Sequence, residues 1–178
     1  MRKNKMKKTF IMVDIESDGP IPGEYSMLSL GAAIVGKEST ESFHIDILPI
    51  SDKFEEERLK FQSLPRENIS ERVSAKEAME KFNQWIEKNS IGKPVFISDN
   101  NGYDWMFVCW YFWKFIDKNP FGFSSYNLQS MYKGMKKDFG AKIEELRERK
   151  LTHNAEQDAI DNKNIFLKIQ KDLKNSPV

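Results

Sequence analysis

"TFIMVDIES", residues 9–17, decides how the rest of the chain reads. Apolar and β-branched residues follow one another without a helical period, which predicts a buried strand. Asp14 interrupts the run, and Glu16 follows two residues later. Alternate side chains leave a strand on one face, so the two carboxylates are expected to converge. With 27 acids in 178 residues, about four acid-x-acid pairs arise by chance, so spacing alone decides little. Position is the stronger signal. An unpaired carboxylate in an apolar strand is costly, and it calls for a divalent cation or, failing that, a salt bridge at the strand end.

Outward from this strand, "PIPGEY" (20–25) reads as a loop from its prolines and glycine. "SMLSLGAAIV" (26–35) predicts a second strand, and the alternating "ESFHIDILPI" (41–50) a third that Pro49 ends. A long polar segment broken by Pro65 leads to "SAKEAMEKFNQWIEK" (74–88), the clearest helix. There Ser74 and Glu77 form a capping box, and Ala78, Phe82, Trp85 and Ile86 make an apolar stripe. "KPVFIS" (93–98) is a short strand, and a helix is expected over 103–116. "NLQSMYKGMKK" and "IEELRERK" read as two further helices, and the last runs from about Ala155 to Leu173. The order implies a mixed sheet flanked by helices, in the α/β or α+β class.

Length suits one compact domain over residues 1–178, with 1–8 as a basic tail. Hydrophobic residues at 39% and charged residues at 31% describe a globular chain rather than a disordered one. No apolar run approaches the roughly 20 residues of a membrane span, so no membrane partner is expected. After "MRKNKMKK" the apolar stretch Phe10 to Val13 stops at Asp14, short of the roughly 7–15 residues of a signal-peptide core. With the single Cys109, this leads to the expectation of a reducing, cytoplasmic setting. Net charge is +1, but Arg2, Lys3, Lys5, Lys7 and Lys8 gather at the start, and Lys133, Lys136 and Lys137 form a second group. Both groups suit solvated surface or contact with phosphates.

Two further clusters of acids matter. "SDNNGYDW" (98–105) offers Asp99 and Asp104 after the fourth strand. An Asx-rich turn with a helix-start carboxylate explains them equally well. "LTHNAEQDAI" (151–160) pairs His153 with Asp158 where the last helix opens. With two histidines and eleven aspartates, such a pair arises by chance about one time in eight. The other histidine, His44, lies in the alternating strand and reads as structural.

Taken in order, Asp-x-Glu on a strand, an Asp about ninety residues later and His-x4-Asp opening the final helix resemble the DEDDh 3′–5′ exonuclease superfamily. The chain looks most like the RNase T-like and oligoribonuclease-like exoribonucleases, over about Phe10 to Leu167. The resemblance implies a ribonuclease H-like α/β fold with a central mixed five-stranded sheet flanked by helices. Asp14 and Glu16 fall on its first motif, Asp104 on its second, and His153 and Asp158 on its third. Ser17, Gly19, Asn100 and Tyr103 fall where relatives contact substrate. Asp99 stands where many relatives carry histidine, and Asp18 adds an acid beside the first motif.

The implied function is a metal-dependent 3′–5′ exoribonuclease that trims single-stranded RNA or short oligonucleotides to 5′-mononucleotides. Four carboxylates suit two hard divalent cations, Mg2+ or Mn2+, about 3.5–4 Å apart. The resemblance has Asp14 bridging them, Glu16 and Asp158 on the nucleophile side, and Asp104 ligating directly or through water. His153 is the general base, since an imidazole suits proton transfer near neutral pH. His153 and Asp158 are thus expected to cooperate without touching. The 3′ end is expected between the "SDGPIPGEYS" loop and the final helix, with Met27 and Leu28 either sandwiching a base or serving as strand core. "YDWMFVCWYFWKF" (103–115) suits core, a homodimer interface or base stacking. RNA is favoured over DNA as partner. The alternatives are a single-stranded DNA exonuclease, a non-catalytic nucleic-acid-binding module, and an unrelated α/β domain whose acids do not converge.

Overall fold

A computed structural model describes residues 7–36, 38–62, 66 and 71–175. Its five-stranded sheet has the order β3-β2-β1-β4-β5. The strands are β1 (Lys8–Ser17), β2 (Met27–Ile34), β3 (Ser42–Asp46), β4 (Lys93–Ser98) and β5 (Ser125–Asn127). β2 pairs antiparallel with both β1 and β3, whereas β1, β4 and β5 run parallel. The helices are α1 (Glu56–Gln62), α2 (Ala75–Asn89), α3 (Asn101–Ile116), α4 (Leu128–Lys136) and α5 (Ala155–Asn175).

The alternation along β1 sorts the two apolar layers. Ile11, Val13 and Ile15 join the cluster built on α2 and α3, while Met12 joins the one built on α4 and α5. Asp14 and Glu16 share the parity of Met12, so both carboxylates leave on the α5 side of the sheet. β2 shifts register against β1 between Glu16 and Ser17, leaving Leu28 without an opposite residue. Such a bulge bends the strand and re-aims the side chains beside it.

Some expectations are corrected. "IEELRERK" holds only a 3-10 turn, Ile143–Leu146, and is irregular beyond it. β5 occupies residues assigned to no strand, and its last residue, Asn127, is the N-cap of α4. α1 lies within the long polar segment, to which no element was assigned, and β3 ends before Pro49. β1 starts at Lys8, and Lys7 accepts a backbone hydrogen bond from Lys93, so the expected tail enters the sheet by these residues. Arg2, Lys3, Lys5 and Pro65 lie outside the described residues. Ser74 caps α2 by accepting from the Glu77 amide at 3.2 Å. In α3, Phe107, Val108, Tyr111 and Phe112 are core, while Trp105 and Trp110 are partly buried against it. Among the described residues, no helix is long and apolar enough to cross a membrane.

One position brings α5 to the sheet. Gly31 of β2 pairs with Asp14 on one side and His44 on the other. A β-carbon there would overlap the carbonyl of Ala155 and the amide nitrogen of Glu156. On the same face of β2 stand Ser29 and Ala33, both buried, and Ala155 and Ala159 of α5 are buried too. Gly31→Ala is therefore expected to destabilise the fold by about 1–3 kcal/mol through overpacking. In a chain of this size each kcal/mol lowers Tm by about 2–4 °C. A melt at the parent temperature would mean that α5 can move off the sheet at no cost.

Candidate active site

The acids meet at the C-terminal ends of the parallel strands, the usual ligand edge of an open α/β sheet. β4 leaves β1 after the pairing of Met12 with Ile97. The next inward-facing amide of β1 is taken by Asp104, whose Oδ1 accepts from Ile15 N at 3.2 Å. Asp104 is buried at the start of α3. Burial first, and then the charge of Asp99, push its carboxyl from the ordinary 3.8 up to about 8. Asp14 is likewise held well above the carboxylate range, by burial and then by Asp104, Asp99, Glu16 and Asp158. The four acids named from the sequence therefore share one electrostatic site, and Asp99 adds a fifth charge to it.

The third motif is built on Asp158. Its Oδ1 accepts from the amide and the hydroxyl of Thr152, and its Oδ2 from the His153 amide, each at 2.9 Å. Asn154 opens α5 by accepting from Gln157 N at 3.0 Å. These bonds hold His153 at φ 55, a left-handed conformation unfavourable for a residue with a side chain. The imidazole Nδ1 thereby stands 3.8 Å from Glu16 Oε1. The expectation that His153 and Asp158 act without touching is corrected, because the carboxylate grips the histidine's own amide. Glu16, His153 and Asp158 each present one ligand atom within 4.8 Å of the others.

The residues assigned to substrate contact fall into distinct places. The Ser17 hydroxyl donates to Gly19 O at 2.9 Å and also bonds the Tyr103 hydroxyl. The Tyr103 hydroxyl oxygen lies 2.9 Å from the same Gly19 O, so two hydroxyl protons are shared among the three contacts. Gly19 has the Tyr25 ring against it where a β-carbon would be. Asn100 is exposed at the N-cap of α3 with no side-chain capping bond. Met27 and Leu28 are wholly buried, with Met27 in the main core, so neither presents a face to a base in this structure. Asp18 clasps the loop after β1: its Oδ1 accepts from Ser26 N and its Oδ2 from Arg66 Nε at 3.1 Å.

Several residues were not singled out from the sequence. Arg58 of α1 donates to the Tyr103 hydroxyl and lies over its ring. Arg147 pairs with Asp99 at 2.8 Å. Thr152 holds Asp158. Only Thr152 carried a local signal, a hydroxyl just before a helix start. The arginine pairings join segments 45 and 48 residues apart, and no local pattern encodes them.

The chain resembles known proteins in three comparisons. The RNase T exonuclease family profile matches residues 11–166. A 3′-5′ DNA exonuclease of Escherichia coli, Cap18, is 37% identical over 134 residues, covering 72% of this chain and 70% of that one. Among solved structures, cell-death related nuclease 4 superposes with a TM-score of 0.76 at 15% identity, covering 92% of this chain and 64% of that one. E. coli exonuclease I, in complex with a dA16 oligonucleotide, gives a TM-score of 0.72 at 14% identity, with 93% of this chain covered. The chain spans 41% of that protein's length. The two structures share the ribonuclease H-like fold described above.

The raised carboxyl of Asp104 has a measurable consequence. Between about pH 4 and 8 the folded metal-free protein holds a proton there that the unfolded chain releases, so stability falls as pH rises through that window. Asp104→Asn keeps an oxygen for the Ile15 amide and removes the charge. In EDTA, its melting temperature should exceed the parent's at pH 8 and the gap should narrow steadily as the pH falls toward about 4. Parallel melting curves across that range would show that Asp104 ionises without penalty.

Proposed function

The chain belongs to the RNase T exonuclease family, and on that premise we propose that it trims single-stranded DNA from the 3′ end to 5′-mononucleotides with two divalent cations, Mg2+ or Mn2+. That it is a 3′–5′ exonuclease, an enzyme hydrolysing phosphodiester bonds in nucleic acid, follows from the family and from its 37% identical relative. DNA is placed ahead of RNA because that relative is a DNA exonuclease by name, and the exonuclease I neighbour binds a DNA oligonucleotide. The expectation of RNA came from a resemblance that enzymes of both substrates share, and recognition of the 2′-hydroxyl is what separates the two.

The carrying observation is the meeting of the half-buried Asp14 with the buried Glu16, Asp104 and Asp158 beside His153. Acids gathered where burial and neighbouring charge hold Asp14 and Asp104 above the ordinary carboxylate range are a donor set for hard divalent ions. Asp14, Glu16 and Asp158 would hold them, with Asp104 adjoining. Bound there, divalent cations supply charge compensation at the phosphate and water that is nucleophilic near neutral pH.

The remaining chemistry belongs to the chain. Asp158 fixes the turn that aims His153, and the His153 imidazole takes the proton of the attacking water. Its Nδ1 stands 3.8 Å from Glu16 Oε1, which leaves Nε2 to accept. The Ser17–Tyr103–Gly19 network holds the backbone after β1, where the terminal nucleotide would lie.

Matched 5′-labelled single-stranded DNA and RNA, incubated with Mn2+, Mg2+ or EDTA, test the reading. DNA is expected to shorten from the 3′ end with metal alone, faster than RNA, and Asp158→Ala to abolish the ladder. His153→Ala should slow turnover by about 10²–10⁴-fold while Mn2+ still raises the melting temperature. Faster loss of RNA would transfer the assignment to an exoribonuclease. Full activity of His153→Ala would remove that residue from the chemistry.

A further inference from the structure

The segment between the 3-10 turn and α5 carries Thr152 and His153, and it has neither helix nor strand of its own. Its position comes from side-chain bonds. Lys168 of α5 donates to Leu146 O at 3.4 Å and pairs with Glu148 at 2.8 Å. Arg149 grips both oxygens of Asp161, at 2.7 and 3.2 Å. Asp158 takes Thr152 and His153. All of these partners lie on α5. Arg147 reaches the other way, to Asp99 in the turn between β4 and α3 that leads to Asp104.

The two kinds of pair differ in strength. Lys168–Glu148 and Arg149–Asp161 are exposed pairs, of a class that contributes little. In the Arg147–Asp99 pair the side chains are only 8% and 18% exposed. Losing one partner of such a pair strands a charge out of water. Arg147 Nε is buried without a partner among the described residues, so its bond to Asp99 is what orients the guanidinium. The same segment walls a groove of 640 Å³ whose lining mixes Glu144 and Glu148 with Arg147, Arg149, Lys150 and His153. If the segment shifts, the groove and the histidine shift with it.

We propose that Arg147 is a positioning residue for the exonuclease reaction: through its buried ion pair with Asp99 it fixes the His153-bearing segment against the Asp104-bearing turn and offsets the charge of Asp99 beside the acid cluster. This rests on the exonuclease reading above. Both duties are local and separable. The first is mechanical, because it joins the α5 half of the site to the β4–α3 half. The second is electrostatic. Asp99 is among the charges acting on Asp14 and Asp104, so freeing it from Arg147 makes the cluster more negative.

The test compares Arg147→Met, which keeps much of the stem and loses the charge, with Arg147→Lys, Asp99→Asn and the Asp99→Asn/Arg147→Met double variant. For Arg147→Met, kcat at saturating Mn2+ is expected to fall about 10–100-fold, as for groups that orient metal ligands from behind. Without substrate, the Mn2+ concentration that half-saturates the thermal shift should fall about 3–10-fold, because Asp99 is left uncompensated. Asp99→Asn should move it the opposite way, and the double variant should restore it while kcat stays low. Amide hydrogen exchange of residues 147–153 should quicken in all three charge-removing variants. Arg147→Lys, which keeps the cation, should recover most of kcat.

Parent-like kcat, Mn2+ half-saturation and exchange in Arg147→Met would overturn the proposal. If Arg147→Met does not fold, Asp99→Asn severs the same pair, and its opposite Mn2+ shift decides the matter. The Mn2+ and exchange measurements need no nucleic acid. An enzyme that cuts neither DNA nor RNA would refute the proposed function and leave this test standing.

Discussion

The site depends on the absence of a side chain at Gly31. A helix normally stands off a sheet by the length of the side chains between them, yet here the first residue of α5 has its backbone against β2. Gly31 is the cross-strand neighbour of Asp14. The same contact therefore sets how far the start of α5, with Asp158 and the turn before it, lies from the first acid. Ser29 and Ala33 extend the small-residue lane on either side of Gly31, and Ala155 and Ala159 are buried on the helix. Larger residues in this lane would suit a stable sandwich, but they would hold the third motif away from the first.

That closeness has a thermodynamic cost. Burial and neighbouring acids that hold Asp14 and Asp104 above the ordinary carboxylate range are a poor way to stabilise a folded chain. The fold tolerates them because apolar layers on both faces of the sheet supply the stability, and because several acids have fixed donors. Asp158 has three hydrogen bonds and Asp104 has the Ile15 amide. Fixed donors hold each oxygen in place before any cation arrives, so less ordering remains when one binds. Strain at His153 has the same logic: the Asp158 bond keeps a left-handed residue where a relaxed turn would aim the imidazole elsewhere.

The sequence was most legible where local physics and tertiary structure agree. Alternation along β1 placed Asp14 and Glu16 on one face because a strand has no other way to present them. The Ser74–Glu77 capping signal marked the start of α2 for a similarly local reason, although only the serine half of it forms, by way of the Glu77 amide. β5 was not legible. Three residues, Ser125 to Asn127, become a strand only because the edge of β4 offers partners. "IEELRERK" misled for the opposite reason, since its charges suit an isolated helix. In the folded chain Arg147, Glu148 and Arg149 each bond a distant residue, partners that the local sequence does not show.

The same contrast explains which parts of the site could be read. Acid-x-acid and His-x4-Asp are spacings within one element, so the chemistry they carry is written along the chain. What joins the elements is written nowhere locally: Gly31 against Ala155, Arg147 with Asp99, and Arg58 with Tyr103 link residues 45 to 124 positions apart. Asp99 shows how this changes a reading. As sequence it was one more acid in an Asx-rich turn, standing where many relatives carry histidine. In the fold its Oδ2 is occupied by Arg147 and its Oδ1 by the Asn100 amide, while Asp104 is buried against β1. An acid already holding a guanidinium is poorly placed to ligate a cation as well. Its charge still reaches Asp104, so Asp99 acts on the site through electrostatics and through the segment it anchors.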